Sequence, residues 1–183
     1  MNVPEPKQID DIKVVTLGGG CFWCTEAVFQ QVPGVLSVVS GYSGGDVADP
    51  SYHQVCSGST GHAEVVQITY QPNRVSFDDL LRIHLATHDP TTLNCQGADR
   101  GTQYRSIIFF VDPNEESIAR EMISVIESEI GRKVVTELKH FEVFYPAEPE
   151  HQNYYRQNSH QGYCQVVIEP KLRSFQRRFQ ELL

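Results

Sequence analysis

The sequence predicts an α+β protein built as a two-layer α/β sandwich, with helices on one face of a sheet. Apolar runs of strand length and longer amphipathic runs follow one another in the order strand, helix, strand, strand, helix, strand. This βαββαβ order is the split βαβ arrangement of ferredoxin-like cores. The 183 residues, 40% of them hydrophobic, are enough for one core and too few for two comfortable ones. We expect an N-terminal tail at 1–11 and a single domain at 12–183, with extra C-terminal helices and a short strand.

Breaks at glycine and proline mark the first half of the core. The predicted elements are a strand at 12–18, a helix at 21–31, a strand at 35–42 and a strand at 62–70. Three glycines separate the first strand from the helix, and Pro33 ends the helix because the residue before a proline disfavours helical geometry. Residues 43–61 are rich in Gly, Ser, Pro and Asp, which predicts a long loop.

The second half of the core begins with a capped helix. Ser76 is a typical helix N-cap, and the helix that it begins carries apolar residues through Leu85. A second irregular loop covers 88–103. The remaining predicted elements are a strand at 104–111, a helix from Asp112 and Pro113 to Ile130, a short strand at 141–145 and helices at 150–157 and 172–182. Because long loops carry function more often than regular elements, we expect the site near residues 43–61 and 88–103.

Charge and hydropathy exclude several classes of protein. Lys and Arg number 15 against 23 Asp and Glu, so the formal net charge is -8, which argues against a nucleic-acid partner because phosphate binding needs clustered cations. No apolar run approaches the roughly 20 residues that a membrane helix needs. The first residues lack the basic and apolar stretches of a secretion signal. We therefore expect a cytoplasmic protein without a membrane partner, and we expect a monomer.

The stretch "GGGCFWC", residues 18–24, joins the first strand to the first helix. The strand–turn–helix order puts Cys21 at the helix N-terminus, where unpaired N–H groups and the helix dipole stabilise a thiolate. We therefore expect the pKa of Cys21 to lie below the ordinary value of about 8.5. Phe22 and Trp23 supply an aromatic surface beside the sulfur. The pattern favours a nucleophilic cysteine over a small core residue.

Two other interpretations of Cys21 and Cys24 stay open. A C-x-x-C pair at a helix N-terminus is typical of thioredoxin-like dithiol exchange, although "CFWC" lacks the usual Gly-Pro centre and the strand order does not suit that fold. His84 and His88 complete a possible set of four zinc ligands, but structural zinc sites usually keep their ligand pairs within a compact span. The glycine run also lacks the Lys and the spacing of phosphate-binding loops. We expect no metal and no cofactor.

Four segments of the chain resemble the A-type peptide-methionine (S)-S-oxide reductases. They are "GCFWCTE", "YHQVCSGSTGHAE", "GADRGTQYRS" and "QGYC", which occur in family order and extend the resemblance from about residue 12 to residue 170. The resemblance implies a thiol-dependent enzyme that reduces methionine S-sulfoxide, free or in proteins, and so repairs oxidised proteins. It implies that the domain at 12–183 is catalytic.

The resemblance also implies roles for individual residues. It gives Cys21 the role of nucleophile and Glu64 the role of proton donor, because burial beside aromatic groups keeps a carboxyl neutral. Tyr52 and Tyr104 match the paired tyrosines whose hydroxyls bind the sulfoxide oxygen. Asp99 matches an acidic residue that orients the site.

A second set of residues is implied for substrate binding and recycling. Phe22 and Trp23 would hold the S-methyl group, and attack would leave Cys21 as a sulfenic acid that a second thiol converts to a disulfide. Cys164 in "QGYC" matches the resolving cysteine, in a segment that we expect to be mobile. Cys24 stands where many relatives have Gly and is the alternative resolving residue. The implied reductant is thioredoxin.

Other departures from the family pattern limit the mechanism. Cys95 stands where relatives commonly have a basic residue, and the tail "QVVIEPKL" lacks the Gly-rich segment of relatives with a further recycling cysteine. We therefore expect one resolving step, and no role for Cys56 or Cys95. Two rival functions remain: a dithiol exchanger, for which Glu64→Gln has little effect, and a binding module for methionine-containing peptides, for which Cys21→Ser has little effect.

Overall fold

The computed structural model describes residues 11–183, so the predicted tail lies outside the described residues apart from Asp11. The strands are β1 (Lys13–Gly18), β2 (Val35–Ser43), β3 (Ala63–Tyr70), β4 (Cys95–Gln96), β5 (Asp99–Arg100), β6 (Ile107–Phe110), β7 (Glu137–His140) and β8 (Tyr145–Pro146). The helices are α1 (Phe22–Phe29), α2 (Tyr52–Cys56), α3 (Phe77–Thr87), α4 (Pro113–Ile130), α5 (Tyr154–Asn158) and α6 (Glu169–Arg178). Within the described part of the chain, no helix has the length and apolarity that crossing a membrane requires.

Most strands pair in one mixed sheet with the order β7-β6-β1-β3-β2-β8. β3 lies between β1 and β2 and is antiparallel to both, while β1 is antiparallel to β6 on its other side. β7 pairs parallel with β6 at one edge, and β8 pairs antiparallel with β2 at the other. Together with the helices, this sheet confirms the predicted α+β class. β4 and β5 form a separate two-stranded hairpin.

The two faces of the sheet are covered differently, because side chains alternate along a strand. One face of β3 presents Val66, Ile68 and Tyr70 to the main core, to which α1, α3, α4 and α6 all contribute buried side chains. The opposite face presents Ala63 and Val65, which form a smaller cluster with Ile107, Phe109, Phe141 and Phe144. Glu64 has the same parity as Val66, so its side chain points toward the helices.

The predicted helix boundaries are confirmed where the sequence carries capping residues. Ser76 accepts a hydrogen bond from the Asp79 N–H at 3.0 Å and forms a capping box that begins α3. Asp112 caps α4 through the Glu115 N–H at 2.8 Å. Gly131 ends α4 in the left-handed conformation, with φ at 68°.

Several predicted elements differ in the structure. The predicted loop at 43–61 contains α2, which begins with a capping box between Ser51 and Gln54. The predicted strand at 104–111 is shorter, because Thr102–Tyr104 forms a 3₁₀ turn before β6. Of the strand predicted at 141–145, only Tyr145 lies in a strand, β8. The strand before it in the chain is β7, which ends at His140.

The C-terminal segment is helical earlier than predicted. A 3₁₀ turn at Pro149–His151 and the short α5 replace the helix predicted at 150–157. A π-helical turn, Cys164–Ile168, leads directly into α6, so the helix predicted at 172–182 begins sooner. The segment around Cys164, which we expected to be mobile, is therefore part of a continuous helical run.

Candidate active site

The three-glycine turn places Cys21 at the N-terminus of α1. Gly20 has a positive φ of 85°, and a Cβ there would lie 2.7 Å from Gln96 Cγ, so both conformation and space require glycine. Its N–H donates to the Tyr104 carbonyl at 3.2 Å, which connects the turn to the second loop. Cys21 is the N-cap residue of α1, and its side chain makes no capping bond. The predicted position of Cys21 is confirmed.

Glu64 lies beside Cys21 at the start of α1. Its Oε2 accepts the backbone N–H of Phe22, the residue after Cys21, at 3.1 Å. Only 1% of Glu64 is exposed. Burial, with smaller contributions from Asp99 and Cys24, raises the pKa of its carboxyl to about 8, and the Phe22 N–H offsets only part of this. The carboxyl is therefore largely protonated at neutral pH, as predicted.

Cys21 and Cys24 form a coupled pair of thiols across the first turn of α1. Their hydrogen bond is the main cause that lowers the pKa of Cys24 to about 7. Burial raises the pKa of Cys21 well above its ordinary value, and the hydrogen bond with Cys24 and the charge of Glu64 raise it further. The predicted lowering of the Cys21 pKa is therefore wrong, because dehydration of its sulfur outweighs the helix terminus. The pair ionises once, with the favoured charge on Cys24.

Tyr52 and Tyr104 border the same carboxyl. Burial raises the pKa of both phenols, and the charges of Glu64 and Cys56 raise them further. The Tyr52 hydroxyl donates to the Cys56 sulfur, so Cys56 lies at the site although the sequence assigned it no role. Two neutral hydroxyl groups therefore lie within electrostatic reach of Glu64.

The aromatic residues after Cys21 differ in exposure. Phe22 is 1% exposed and packs against the rings of Tyr42, Tyr52 and His151 at centroid distances of 5.7, 6.3 and 5.6 Å. Trp23 is half-buried and its Nε1–H donates to His151 Nδ1 at 3.2 Å. These contacts build an apolar surface beside the Cys21 sulfur, with Trp23 as its accessible part.

A chain of polar groups leads from Cys24 to the edge of the site. The Tyr163 hydroxyl donates to Asp99 Oδ2 at 2.9 Å and lies 3.7 Å from Cys24 Sγ. The ring of Tyr163 also meets the edge of Trp23 at 5.7 Å. Cys24 is buried, whereas Tyr163 and Asp99 are partly exposed. Asp99, predicted from the resemblance, therefore reaches the thiol pair through a tyrosine.

Cys164 directly follows Tyr163 and is completely buried in the main core. Burial and the charge of Cys24 raise the pKa of its thiol. Cys164 therefore lies within electrostatic reach of Cys24. Cys95 lies in the β4–β5 hairpin, where its thiol donates to the Gly97 carbonyl at 3.5 Å.

The two histidines of the zinc alternative differ in their contacts: His84 Nε2 is buried with no hydrogen-bond partner among the described residues, whereas the ring of His88 is fully paired. His88 Nδ1 lies 2.5 Å from the His84 carbonyl, and its Nε2 lies 2.7 Å from Ser106 Oγ, so both ring nitrogens are occupied. His84 is buried, and burial lowers the pKa of both histidines. A Cβ on Gly19 would lie within 3.0 Å of both rings, so the two histidine rings pack directly against the glycine turn.

Sequence reasoning missed several residues that form the site's walls. Glu148 Oε2 accepts the Tyr52 N–H at 3.1 Å, and its Oε1 accepts the Tyr42 hydroxyl at 3.1 Å. His151 lies against Tyr52 with ring centroids 4.2 Å apart. These residues belong to an irregular segment whose sequence has no periodicity. The concentration of His and aromatic residues in this segment was the signal by which it could have been recognised as part of the site.

A thiol pair beside a carboxyl that remains protonated near neutral pH suits redox chemistry at sulfur, and the class of protein is a thiol-based oxidoreductase. The family model described as "Peptide methionine sulfoxide reductase" matches residues 13–183. The chain belongs to the peptide methionine sulfoxide reductase family, of the A type, and it is an enzyme that reduces methionine sulfoxide.

Individual relatives agree with the family match. A peptide methionine sulfoxide reductase MsrA of Saccharolobus solfataricus is 55% identical over 92% of this chain and 95% of its own length. An MsrA of Polynucleobacter asymbioticus is 50% identical over 100% of this chain and 97% of its own length. Among solved structures, Mxr1 from Saccharomyces cerevisiae in reduced form has a TM-score of 0.80 at 32% identity, covering 87% of this chain and 92% of its own.

Proposed function

We propose that the enzyme reduces the S epimer of methionine sulfoxide, free or in proteins, by direct attack of Cys21 on the sulfoxide sulfur. The observation that carries this proposal is the 3.1 Å hydrogen bond from the Phe22 N–H to Glu64, which holds a neutral carboxyl beside Cys21. The two thiols share a single proton. When this proton moves to the Cys24 sulfur, Cys21 becomes the thiolate of the pair. Its raised pKa makes that thiolate the stronger nucleophile of the two.

The attack requires a proton for the sulfoxide oxygen. Glu64 gives its proton to this oxygen while the Cys21 sulfur forms a bond to the methionine sulfur. The resulting hydroxyl group then moves from the methionine sulfur to the Cys21 sulfur as the S–S bond breaks, and one electron pair stays on the methionine sulfur as its lone pair. The products are methionine, a sulfenic acid on Cys21 and ionised Glu64. Tyr52 and Tyr104 hydrogen-bond the oxygen as charge develops on it. Phe22 and Trp23 contact the S-methyl group, and Asp99 orients the site.

The second thiol converts the sulfenic acid to a disulfide. The resemblance gives Cys164 the role of resolving cysteine, and we assign to Cys164 the disulfide that an external reductant opens, because Cys164 lies within electrostatic reach of Cys24. We assign thioredoxin as that reductant. In support, a solved structure of Mxr1 from Saccharomyces cerevisiae in complex with Trx2 matches this fold with a TM-score of 0.57 at 22% identity.

The organisation of the chain is part of the same proposal. The strand order β6-β1-β3-β2, with α1 and α3 crossing between strands, supports a ferredoxin-like split βαβ core within the larger sheet. We assign residues 12–183 to a single catalytic domain of a monomeric, cytoplasmic enzyme that repairs oxidised proteins. The net charge of -8 supports the absence of a nucleic-acid partner.

A single-turnover experiment tests the mechanism. Reduced protein is mixed with each epimer of a blocked methionine sulfoxide, and the methionine formed and the thiols lost are counted. We expect one methionine and two lost thiols per site for the S epimer, and no reaction of the R epimer. Methionine formation by Cys21→Ser, or equal consumption of both epimers, would contradict the proposal.

The rival dithiol-exchange function has one observation in its favour, the Cys24 pKa of about 7 within a C-x-x-C pair. If the protein were a dithiol exchanger, wild type and Glu64→Gln would reduce a disulfide substrate equally well. Measuring both reactions with both proteins separates the two functions.

A further inference from the structure

Cys24 poses a proton-transfer problem once Cys21 has reacted. Cys24 is only 2% exposed, so water and buffer do not reach its sulfur. In the resting protein the pair shares one proton, and the attack of Cys21 leaves that proton on Cys24. After Cys21 becomes a sulfenic acid, its sulfur is no longer a thiolate that can take the proton of Cys24. The proton of Cys24 must therefore leave through another neighbouring group.

The geometry of α1 suits a direct reaction between the two cysteines. They are three residues apart across the first helical turn, and the Cys24 N–H donates to the Cys21 carbonyl at 3.1 Å. One helical turn brings such residues to Cα separations of about 5–6 Å, within the range that a disulfide spans. No change in the backbone of α1 is required for their sulfurs to meet.

Tyr163 is the group in contact with Cys24 that leads toward solvent. Its hydroxyl lies 3.7 Å from Cys24 Sγ and donates to Asp99 Oδ2 at 2.9 Å. While Asp99 is ionised, Tyr163 can accept the Cys24 S–H and donate its own proton to the carboxylate. When a proton moves from Cys24 through Tyr163 to Asp99, both hydrogen bonds reverse their direction. Tyr163 then donates to the Cys24 sulfur. Asp99 is partly exposed and exchanges its proton with water.

We propose that Cys24 is the thiol that first resolves the Cys21 sulfenic acid, and that Tyr163 and Asp99 form the path by which its proton leaves. This inference rests on the proposed function of Cys21. The Cys24 sulfur attacks the Cys21 sulfur, an S–S bond forms and the S–O bond breaks. The departing hydroxide takes the proton that Glu64 has regained from solvent and leaves as water, while Asp99 returns the Cys24 proton to solvent.

Cys164 then has a later role than the resemblance implies. Its thiolate attacks Cys24 in the Cys21–Cys24 disulfide, which frees Cys21 and forms a Cys24–Cys164 disulfide for the external dithiol to reduce. The expectation of one resolving step is thereby replaced by two steps in sequence. Tyr163 directly precedes Cys164, so the same helical turn carries the proton path and the second thiol.

Rapid mixing with methionine S-sulfoxide tests the order of the two disulfides. Methionine formation and thiol loss are followed separately, and quenched samples are mapped by mass spectrometry. We expect Cys164→Ser to lose two thiols per methionine and to give the Cys21–Cys24 disulfide. We expect Cys24→Ser to accumulate a Cys21 sulfenic acid that a dimedone probe traps. Loss of a second thiol per methionine by Cys24→Ser at the wild-type rate overturns the inference.

Two variants test the proton path while keeping the shape of the site. Tyr163→Phe removes only the hydroxyl, and Asp99→Asn keeps an oxygen that accepts from Tyr163 but cannot take its proton. We expect each to slow disulfide formation at least tenfold relative to methionine formation, and the double variant to be no slower than either, because the two groups act as one unit. The control Tyr154→Phe removes a hydroxyl bonded to Gln161 and should leave the ratio of the two rates within twofold.

The pH profile gives a readout that a merely structural role does not move. The titratable groups that influence or border Cys24 are Cys21, Glu64, Asp99, Tyr163, Cys164 and Lys171. The Tyr163 hydrogen bond lowers the pKa of Cys24 and the Asp99 charge raises it. We expect the midpoint for disulfide formation to move to higher pH in Tyr163→Phe and to lower pH in Asp99→Asn. Unmoved midpoints with an unchanged rate ratio overturn the proton path, whereas failure of wild type to form methionine overturns the proposed function instead.

Discussion

The backbone N–H of Phe22 donates to the Glu64 carboxyl oxygen at 3.1 Å, which ties the middle of the sheet to the first turn of α1. This bond joins residues 42 positions apart and holds the acid beside the cysteine that precedes Phe22. One contact therefore fixes the relative position of the proposed proton donor and nucleophile. It also depends on a backbone group, so no substitution at position 22 other than proline removes it directly.

Glu64→Gln should lower the rate of methionine formation by about 10²–10⁴-fold, because the amide occupies the same space but does not supply a proton. In wild type the rate of this step should fall as pH rises through the Glu64 pKa of about 8. The pH dependence is measured in single turnovers across pH 6 to pH 10. If the rate of Glu64→Gln still falls as pH rises through 8, a group other than Glu64 causes this fall.

The same substitution should change how stability depends on pH. The Glu64 pKa is raised from 4.5 to about 8, so the folded state binds a proton that the unfolded state releases between these values. The contribution of this group to stability is greatest below the unfolded pKa and is lost as pH rises through 8, at up to about 1.4 kcal/mol per pH unit. Urea unfolding of both proteins at pH 5 and pH 8 should therefore show Glu64→Gln gaining stability relative to wild type at the higher pH. An equal difference at both pH values would show that Glu64 does not titrate in this window.

Tyr104→Phe should reduce kcat/KM by about 10²-fold, the typical cost of removing one hydrogen-bond donor to a developing oxyanion. The ring remains, so the fold and the apolar surface should be preserved. Tyr155→Phe serves as the control, since Tyr155 packs against the core from α5. If Tyr155→Phe lowers kcat/KM as much as Tyr104→Phe, the Tyr104 hydroxyl has no special role.

Gly20→Ala should reduce activity and stability together. A non-glycine residue at positive φ costs about 1–2 kcal/mol, and the new Cβ also meets Gln96 at 2.7 Å. Gly131→Ala is a matched control, because Gly131 has a positive φ of 68° with nothing within 4 Å of the new Cβ. Urea unfolding and kcat/KM are measured for both variants. Gly131→Ala should lose only stability, and equal activity in the two variants would remove the turn from the mechanism.

The sequence predicted the central strands and capped helices well, for identifiable physical reasons. β1 and β3 are buried apolar runs, and Ser76 and Asp112 carry side chains that accept specific backbone donors. These signals are local. The predicted place of Cys21 was equally local, since it followed from the glycine turn alone.

The remaining features depend on contacts between distant segments. The pKa of Cys21 depends on dehydration by the assembled core, which a helix N-terminus alone does not reveal. The link from Cys24 through Tyr163 to Asp99 joins three separate segments and has no sequence spacing of its own. The early start of the C-terminal helical run was hidden by Pro170, which follows a π-helical turn rather than breaking the helix.

Trp23 is the single tryptophan of the chain, and it lies against Tyr154 with ring centroids 3.7 Å apart. Its indole also borders Tyr163, and the residue immediately after it is Cys24. All indole emission from the protein therefore arises one residue away from Cys24 and two residues away from Cys21. Oxidation of the sulfurs and arrival of a sulfoxide each alter the surroundings of that fluorophore, so a full catalytic cycle can be watched optically without any added label.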